Sequence, residues 1–233
     1  MGTHVVFTGG PLPNEALLVR LARVIESEDV VSVVAADSGI GLADAIGVTV
    51  DQLVGDMDSV DPERLARAAT DGVSVVRFPV HKDATDAELA LDVATARGRP
   101  GDRVVVLGST AGRFDHVLAL LGSLAGPNYE QFERDAWLGG DVVHVVAEGR
   151  RRLPMPAGTT FSMLPLHGAA VVSVTGVRWA LHQEPLAVGT SRGVSNVATA
   201  SEVVVDVADG VVLVVVPGDQ PGESDGTEVK EDR

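Results

Sequence analysis

Two carboxylates stand two residues apart in Leu53-Val54-Gly55-Asp56-Met57-Asp58-Ser59, where an apolar run ends at a glycine. If extended backbone continues past Gly55, the alternation of a strand puts both acids on one side. Hard oxygen donors placed like this suit Mg²⁺, which takes one or two protein carboxylates and fills its other positions with water or phosphate oxygens. The plainer reading is a polar turn, since Asp, Gly and Ser make turns anywhere. Three other stretches favour the metal. Ala35-Ala36-Asp37-Ser38-Gly39 comes earlier; Lys82-Asp83-Ala84-Thr85-Asp86-Ala87-Glu88 and Gly112-Arg113-Phe114-Asp115-His116 come later, each after a strand-like segment. Ligands of open α/β sheets bind outside the carboxyl ends of the strands, so four acidic strand ends read as one site.

Clustered carboxylates with few bases suit phosphate handling, because Mg²⁺ bridges such acids to a nucleotide's phosphates. The sequence has no G-x-x-x-x-G-K-[ST] loop, and Gly9-Gly10 does not continue into G-x-G-x-x-G, which argues against a P-loop enzyme and a dinucleotide fold. Gly108-Ser109-Thr110-Ala111-Gly112-Arg113 is a small-residue loop leading into a helix N-terminus, where backbone N–H groups attract anions. Glycines in short βα loops also serve turn geometry alone. Thr85 and Glu88 read first as a capping box, T-x-x-E ahead of an apolar helix. Asp83 and Asp86 keep a functional reading, because one helix start needs at most one acidic cap. Arg113 either neutralises charge on a transferred group or makes a surface ion pair. His116, inside the following helix, reads as a packed or hydrogen-bonded residue.

The elements that must position these residues follow from hydrophobic periodicity. His4 to Thr8 is β-like, and Asn14 caps a helix in which Leu17, Leu21, Val24 and Ile25 recur at helical spacing. Val30 to Ala36 reads as a strand buried on both faces. A short helix at Leu42 to Ile46 leads to the Leu53-Val54 strand, and Asp61-Pro62-Glu63 starts another with proline at its first position. A strand at Val73 to Phe78, a helix at Asp86 to Arg97, a strand at Arg103 to Leu107 and a helix at Phe114 to Leu124 complete the alternation. The expectation is a doubly wound, mostly parallel α/β domain over 1–149. Beyond Asp141 the β-like runs Val142 to Ala147, Phe161 to Leu164, Ala170 to Val174, Val203 to Val207 and Val211 to Val216 are separated by Gly, Pro and Asp without helical pattern. These predict a smaller all-β sandwich over 150–218. Arg150-Arg151-Arg152 reads as a solvated connection between the two.

Composition narrows the class. The 233 residues are 45% hydrophobic and 22% charged, as in soluble globular proteins, and only 3% aromatic, so Val, Ala and Leu must build the core. Without cysteine there are no disulfides or thiolate metal sites, which fits a reducing, cytoplasmic setting. The net charge of −15 argues against nucleic acid, and no apolar run approaches a membrane span or a signal peptide. Residues 219–233, with six acids against Lys230 and Arg233, read as a disordered acidic tail.

Taken together, Ala35-Ala36-Asp37, Gly55-Asp56-Met57-Asp58-Ser59, Lys82 to Leu91 and Gly112 to His116 resemble the ordered motif set of thiamine pyrophosphokinase. In the β part, Thr175-Gly176-Val177-Arg178-Trp179-Ala180-Leu181 and Gly193-Val194-Ser195-Asn196 are similar to that family's thiamine-side motifs. Ser38 and Ile40-Gly41 depart from the family's usual glycine and small-residue–Asn pair, and Val50 from its usual proline. The resemblance implies a homodimer that transfers pyrophosphate from ATP to the thiamine hydroxyl and releases AMP. It implies that Asp56, Asp58 and Asp86 are Mg²⁺ ligands and that Asp37 sits near the reacting hydroxyl or the metal. Lys82 and Arg113 would contact phosphate and Asp115 would order the nucleotide loop; Asp83 and Thr85 join these three as candidate ATP-binding residues. Ser195 and Asn196 would face thiamine, and Trp179 would either offer a ring face to its aromatic cation or pack in the core. The alternatives are a pyrophosphokinase for another heteroaromatic alcohol, such as a hydroxymethylpterin, and a non-catalytic nucleotide-binding relative.

Overall fold

The computed structural model describes residues 1–218, so the acidic tail 219–233 lies outside the described residues. Strands and helices alternate through the first half: β1 (Thr3–Phe7), α1 (Glu15–Glu26), β2 (Val30–Ala36), α2 (Ile40–Ala45), β3 (Gln52–Gly55), α3 (Pro62–Thr70), β4 (Ser74–Arg77), α4 (Asp86–Thr95), β5 (Arg103–Gly108) and α5 (Phe114–Ala125). Local chemistry sets the helix starts. Asn14 accepts the Leu17 N–H, Asp61 accepts from Glu63 and Arg64 ahead of a proline-led α3, and the Thr85 hydroxyl accepts from Glu88. Thr85 is therefore a helix cap, as the T-x-x-E spacing implies.

A sixth strand, β6 (Glu133–Leu138), completes a parallel run ordered β6-β5-β1-β2-β3-β4. Neighbouring side chains on β1 point to opposite faces, as the strand period requires. Val6 joins a core with Ala90 and Leu91 of α4 and Leu120 and Leu124 of α5, whereas Val5 and Phe7 join one with Leu21 of α1, Ala43 of α2 and Ala68 of α3. Helices thus cover both faces, and the order reverses beside β1, which pairs with β2 on one side and β5 on the other. β2 differs from expectation at its start, where Val31 is exposed; full burial begins at Val33.

The remaining strands are β7 (Asp141–Val146), β8 (Gly149–Pro154), β9 (Thr160–Pro165), β10 (Ala170–Thr175), β11 (Leu181–Leu186), β12 (Asn196–Val197), β13 (Glu202–Asp209) and β14 (Val212–Val216). They form a sandwich that shares one layer with the main sheet. β7, β14, β9 and β12 add antiparallel strands beyond β6, giving ten in all, while β11, β10, β13 and β8 make a separate four-stranded sheet. Phe161, Met163, Val172, Val205 and Val214 fill the space between the layers. The basic run is a strand rather than a connection, although Arg150 and Arg152 are solvated as expected. It lies in β8, paired with β13, and Arg151 turns inward to a buried carboxylate, Asp135, that an apolar pattern cannot reveal. Asp135 is fully buried and accepts from Arg103 and Arg151, with His144 Nδ1 at 2.6 Å. Burial pushes its carboxyl up, but His144, Arg151 and Arg103 together hold it well below the usual range.

Candidate active site

The carboxyl ends of β1, β2, β3 and β5 open onto one cleft of about 550 Å³, at the reversal of strand order where such sheets bind ligands. Gly9 and Gly10 line it after β1, Asp37 and Ser38 after β2, Asp56, Asp58 and Ser59 after β3, and Ser109, Ala111, Gly112 and Arg113 after β5. The β1 and β5 loops meet because position 10 carries no side chain. A Cβ there, at φ 132°, would press against Ser109 Cβ.

Asp37, Asp56 and Asp58 each present an oxygen within 4.8 Å of the others. Backbone geometry brings them together. Asp37 has φ 43° and Met57 φ 69°, both in the left-handed region, and the Met57 N–H donates to Asp37 Oδ1 at 3.0 Å. Asp56 Oδ1 accepts the Asp58 N–H at 3.1 Å, closing the turn over which the two acids converge. The polar turn and the acid cluster expected of this stretch are therefore one structure.

Charge is unevenly held across the cluster. Burial, with the charges of Asp86 and Asp56, raises the Asp37 carboxyl to about 7 against the opposing Met57 N–H. The Asp58 N–H and nearby Lys82 lower Asp56, while the charge on Asp56 raises Asp58. Lys82 Nζ lies 2.9 Å from Asp86 and 3.5 Å from Asp56. Three hard oxygen donors that repel one another at this spacing fit a divalent cation such as Mg²⁺. Asp86 is bonded to Lys82, and its carboxylate also lies against Asp37 and acts on Asp58, at the edge of the trio.

The other candidate residues divide. Asp86, Thr85 and Arg113 line the cleft, whereas Asp83 is exposed outside it. Arg113 pairs with Asp115 at 2.6 Å, both well exposed, and this bond holds the Asp115 carboxyl down to about 2. His116 is exposed on the cleft wall rather than packed inside its helix. Its place one residue after Asp115, at the open end of α5, was the available signal. Trp179, Ser195 and Asn196 are not among the residues lining this cleft. Trp179 is 56% exposed, so it is not a core residue, and Ser195 is exposed at φ 60°. Asn196 is buried, and its side-chain amide bonds to the Trp179 and Val197 backbone, which takes it off the surface assigned to it.

Two family models match the chain, one after the other. Residues 22–134 match the family model described as thiamin pyrophosphokinase, catalytic domain, and residues 145–212 match the thiamin pyrophosphokinase, vitamin B1 binding domain. The fold is shared with solved structures along nearly all of the chain. Thiamine pyrophosphokinase from Bacillus subtilis superposes with a TM-score of 0.77 at 20% identity, covering 94% of this chain and 100% of that one. The enzyme from Geobacillus thermodenitrificans gives 0.74 at 24% identity, with 94% and 98% covered. Yeast thiamin pyrophosphokinase gives 0.69 at 15% identity, with 94% and 87% covered. With both halves matched in order, the chain belongs to the thiamin pyrophosphokinase family, the enzymes that transfer pyrophosphate from ATP to thiamine.

Proposed function

We propose that this chain carries out its family's reaction with Asp37, Asp56 and Asp58 as the Mg²⁺-holding set, giving thiamine diphosphate and AMP. The observation that carries this assignment is the convergence of the three carboxylates on a cleft of about 550 Å³. When bound, Mg²⁺ supplies positive charge to offset that of the triphosphate. The chain's own groups do the positioning. The loop at Ser109 to Gly112 offers backbone N–H groups to phosphate, and Lys82 sets an ammonium beside Asp56 and Asp86. Arg113 reaches a phosphate by exchanging its bond to Asp115. Asp37, raised to about 7 in the metal-free chain, would be held ionised by the cation it shares with Asp56 and Asp58.

Residues 1–149 are proposed as the catalytic unit and 150–218 as the thiamine-binding unit. Trp179 and Ser195 would form the thiamine face. Because neither lines the acid cleft, we propose a homodimer in which the acids of one chain meet the thiamine face of its partner. A cytoplasmic setting is proposed from the cysteine-free sequence, and no described helix is long and apolar enough to cross a membrane.

The test is incubation with Mg-ATP and thiamine, following AMP and thiamine diphosphate together, with a hydroxymethylpterin as the competing acceptor. Both products should form with thiamine. Product from the pterin alone would move the acceptor to another heteroaromatic alcohol. Nucleotide binding with no product from either would leave a non-catalytic relative.

A further inference from the structure

We infer that Asn196 is a positioning residue: it fixes Trp179 as a rigid platform and does not itself meet the substrate. This rests on the proposal that Trp179 receives the aromatic cation.

Asn196 is 4% exposed, whereas the neighbouring Ser195 is open to solvent. Its side-chain amide grips one residue at both backbone groups. Oδ1 accepts the Trp179 N–H at 3.1 Å, and Nδ2 donates to the Trp179 carbonyl at 2.8 Å. Oδ1 also accepts the Val197 N–H at 2.9 Å. The loop carrying Trp179 approaches this strand through a Val177–Ala198 bridge and an Arg178 N–H bond to the Val197 carbonyl at 2.9 Å. The carboxamide thus acts as one more rung of the ladder, reaching a residue the backbone of β12 does not. Only an amide places a donor and an acceptor side by side in this way. An aspartate would set a charged oxygen against the Trp179 carbonyl, and an alanine would leave both backbone groups unpaired.

The residue so held is an exposed tryptophan. Large apolar side chains at the surface cost little to keep mobile, and an indole on a pinned backbone has less freedom to lose when a ligand arrives. The Arg178 guanidinium sits 5.4 Å from the ring centre, so this ring already attracts a cation.

The experiment uses the full chain with Trp137→Phe, which leaves Trp179 as the remaining one of two tryptophans. The buried Trp137 indole N–H has no hydrogen-bond partner, so phenylalanine removes no hydrogen bond there and keeps a ring under Arg20. In this background, Asn196→Ala and the isosteric Asn196→Asp should lower Trp179 fluorescence anisotropy. They should also raise the thiamine KM roughly tenfold, the equivalent of 1.4 kcal/mol, while the ATP KM stays put. Trp179→Ala should raise the thiamine KM at least as far, and adding Asn196→Ala to it should change nothing more. Multiplying effects in the double variant would overturn the inference, because Asn196 would then act independently of Trp179. So would an unchanged thiamine KM in a variant whose anisotropy has fallen. If Trp179→Ala alone leaves the thiamine KM unchanged, the platform itself fails and the inference with it. Folding failure of the alanine variant leaves the aspartate variant to decide.

Discussion

Asp37 Oδ1 accepts the Met57 N–H at 3.0 Å, tying the end of β2 to the end of β3. The bond passes directly over Gly55, where a Cβ would collide with the Asp37 carboxylate at a φ of 146°. Gly55→Ala should therefore push Asp37 out of the trio as well as strain the backbone. Turnover should fall by at least a hundredfold, with a stability loss of about 1–3 kcal/mol from the forced conformation. Steady-state rates and a urea titration check both. Activity near wild type would show that the position of Asp37 is not critical.

Asp56→Asn and Asp58→Asn each remove a charge from the proposed cation set while keeping the shape of the turn. Turnover should be abolished and thermal unfolding in metal-free buffer should change little. The rise in melting temperature that Mg²⁺ gives the wild type should shrink or vanish. A wild-type Mg²⁺ response in either variant would remove that residue from the metal set.

Asp37 also sets a pH dependence. Its folded pKa of about 7 lies above that of a free aspartate, near 3.9. Between those values the folded state holds more protons than the unfolded one, so this group's contribution makes metal-free stability fall as pH rises from about 4 to 7. Denaturation at several pH values, with and without Asp37→Asn, isolates the effect. The variant should show a shallower fall, and identical slopes would place the titration elsewhere.

Two stability effects of different size should separate the cap from the buried ion cluster. Thr85→Ala loses the hydrogen bond to the Glu88 N–H, which costs about 1 kcal/mol. Asp135→Asn leaves Arg103 and Arg151 facing a neutral group in a fully buried place, which costs about 3–5 kcal/mol. Guanidinium unfolding gives both values. A collapse of activity without loss of stability in Thr85→Ala would make Thr85 a substrate contact as well as a cap.

If each site is shared between chains, mixing Asp56→Asn with Trp179→Ala protein should restore activity. One site of the mixed dimer would carry both lesions and the other none. Tagged subunits confirm exchange, and no recovery among exchanged subunits would mean that each chain builds its site alone.

The parallel strands were legible because apolar runs end abruptly at glycine or aspartate, as at Gly55-Asp56, and the helices because their caps are written in single residues such as Asn14 and Asp61. β6 and β8 were not. Each carries charges, Arg134 and Asp135 in one and Arg150 to Arg152 in the other, that look solvated until the partners are known. β11 was hidden by Pro185 and Glu184, which an edge strand tolerates. The acids of the site could be read because a strand end declares itself locally. Which of Ser195 and Asn196 faces out depends on a contact with Trp179, seventeen positions from Asn196, and no local pattern reports it.

β14 lies between β7 and β9, so the last described strand to be synthesised fills a slot in the middle of the large sheet. Until residues 212–216 leave the ribosome, β7 presents a valine-rich edge with unpaired backbone groups. A fragment ending at 149 would carry every carboxylate of the cleft and still expose that edge, inviting association with other chains rather than a free-standing catalytic half. Biogenesis of the nucleotide cleft is thereby tied to completion of the β-rich half, and a nascent chain stalled before Val212 should need a chaperone to stay dispersed.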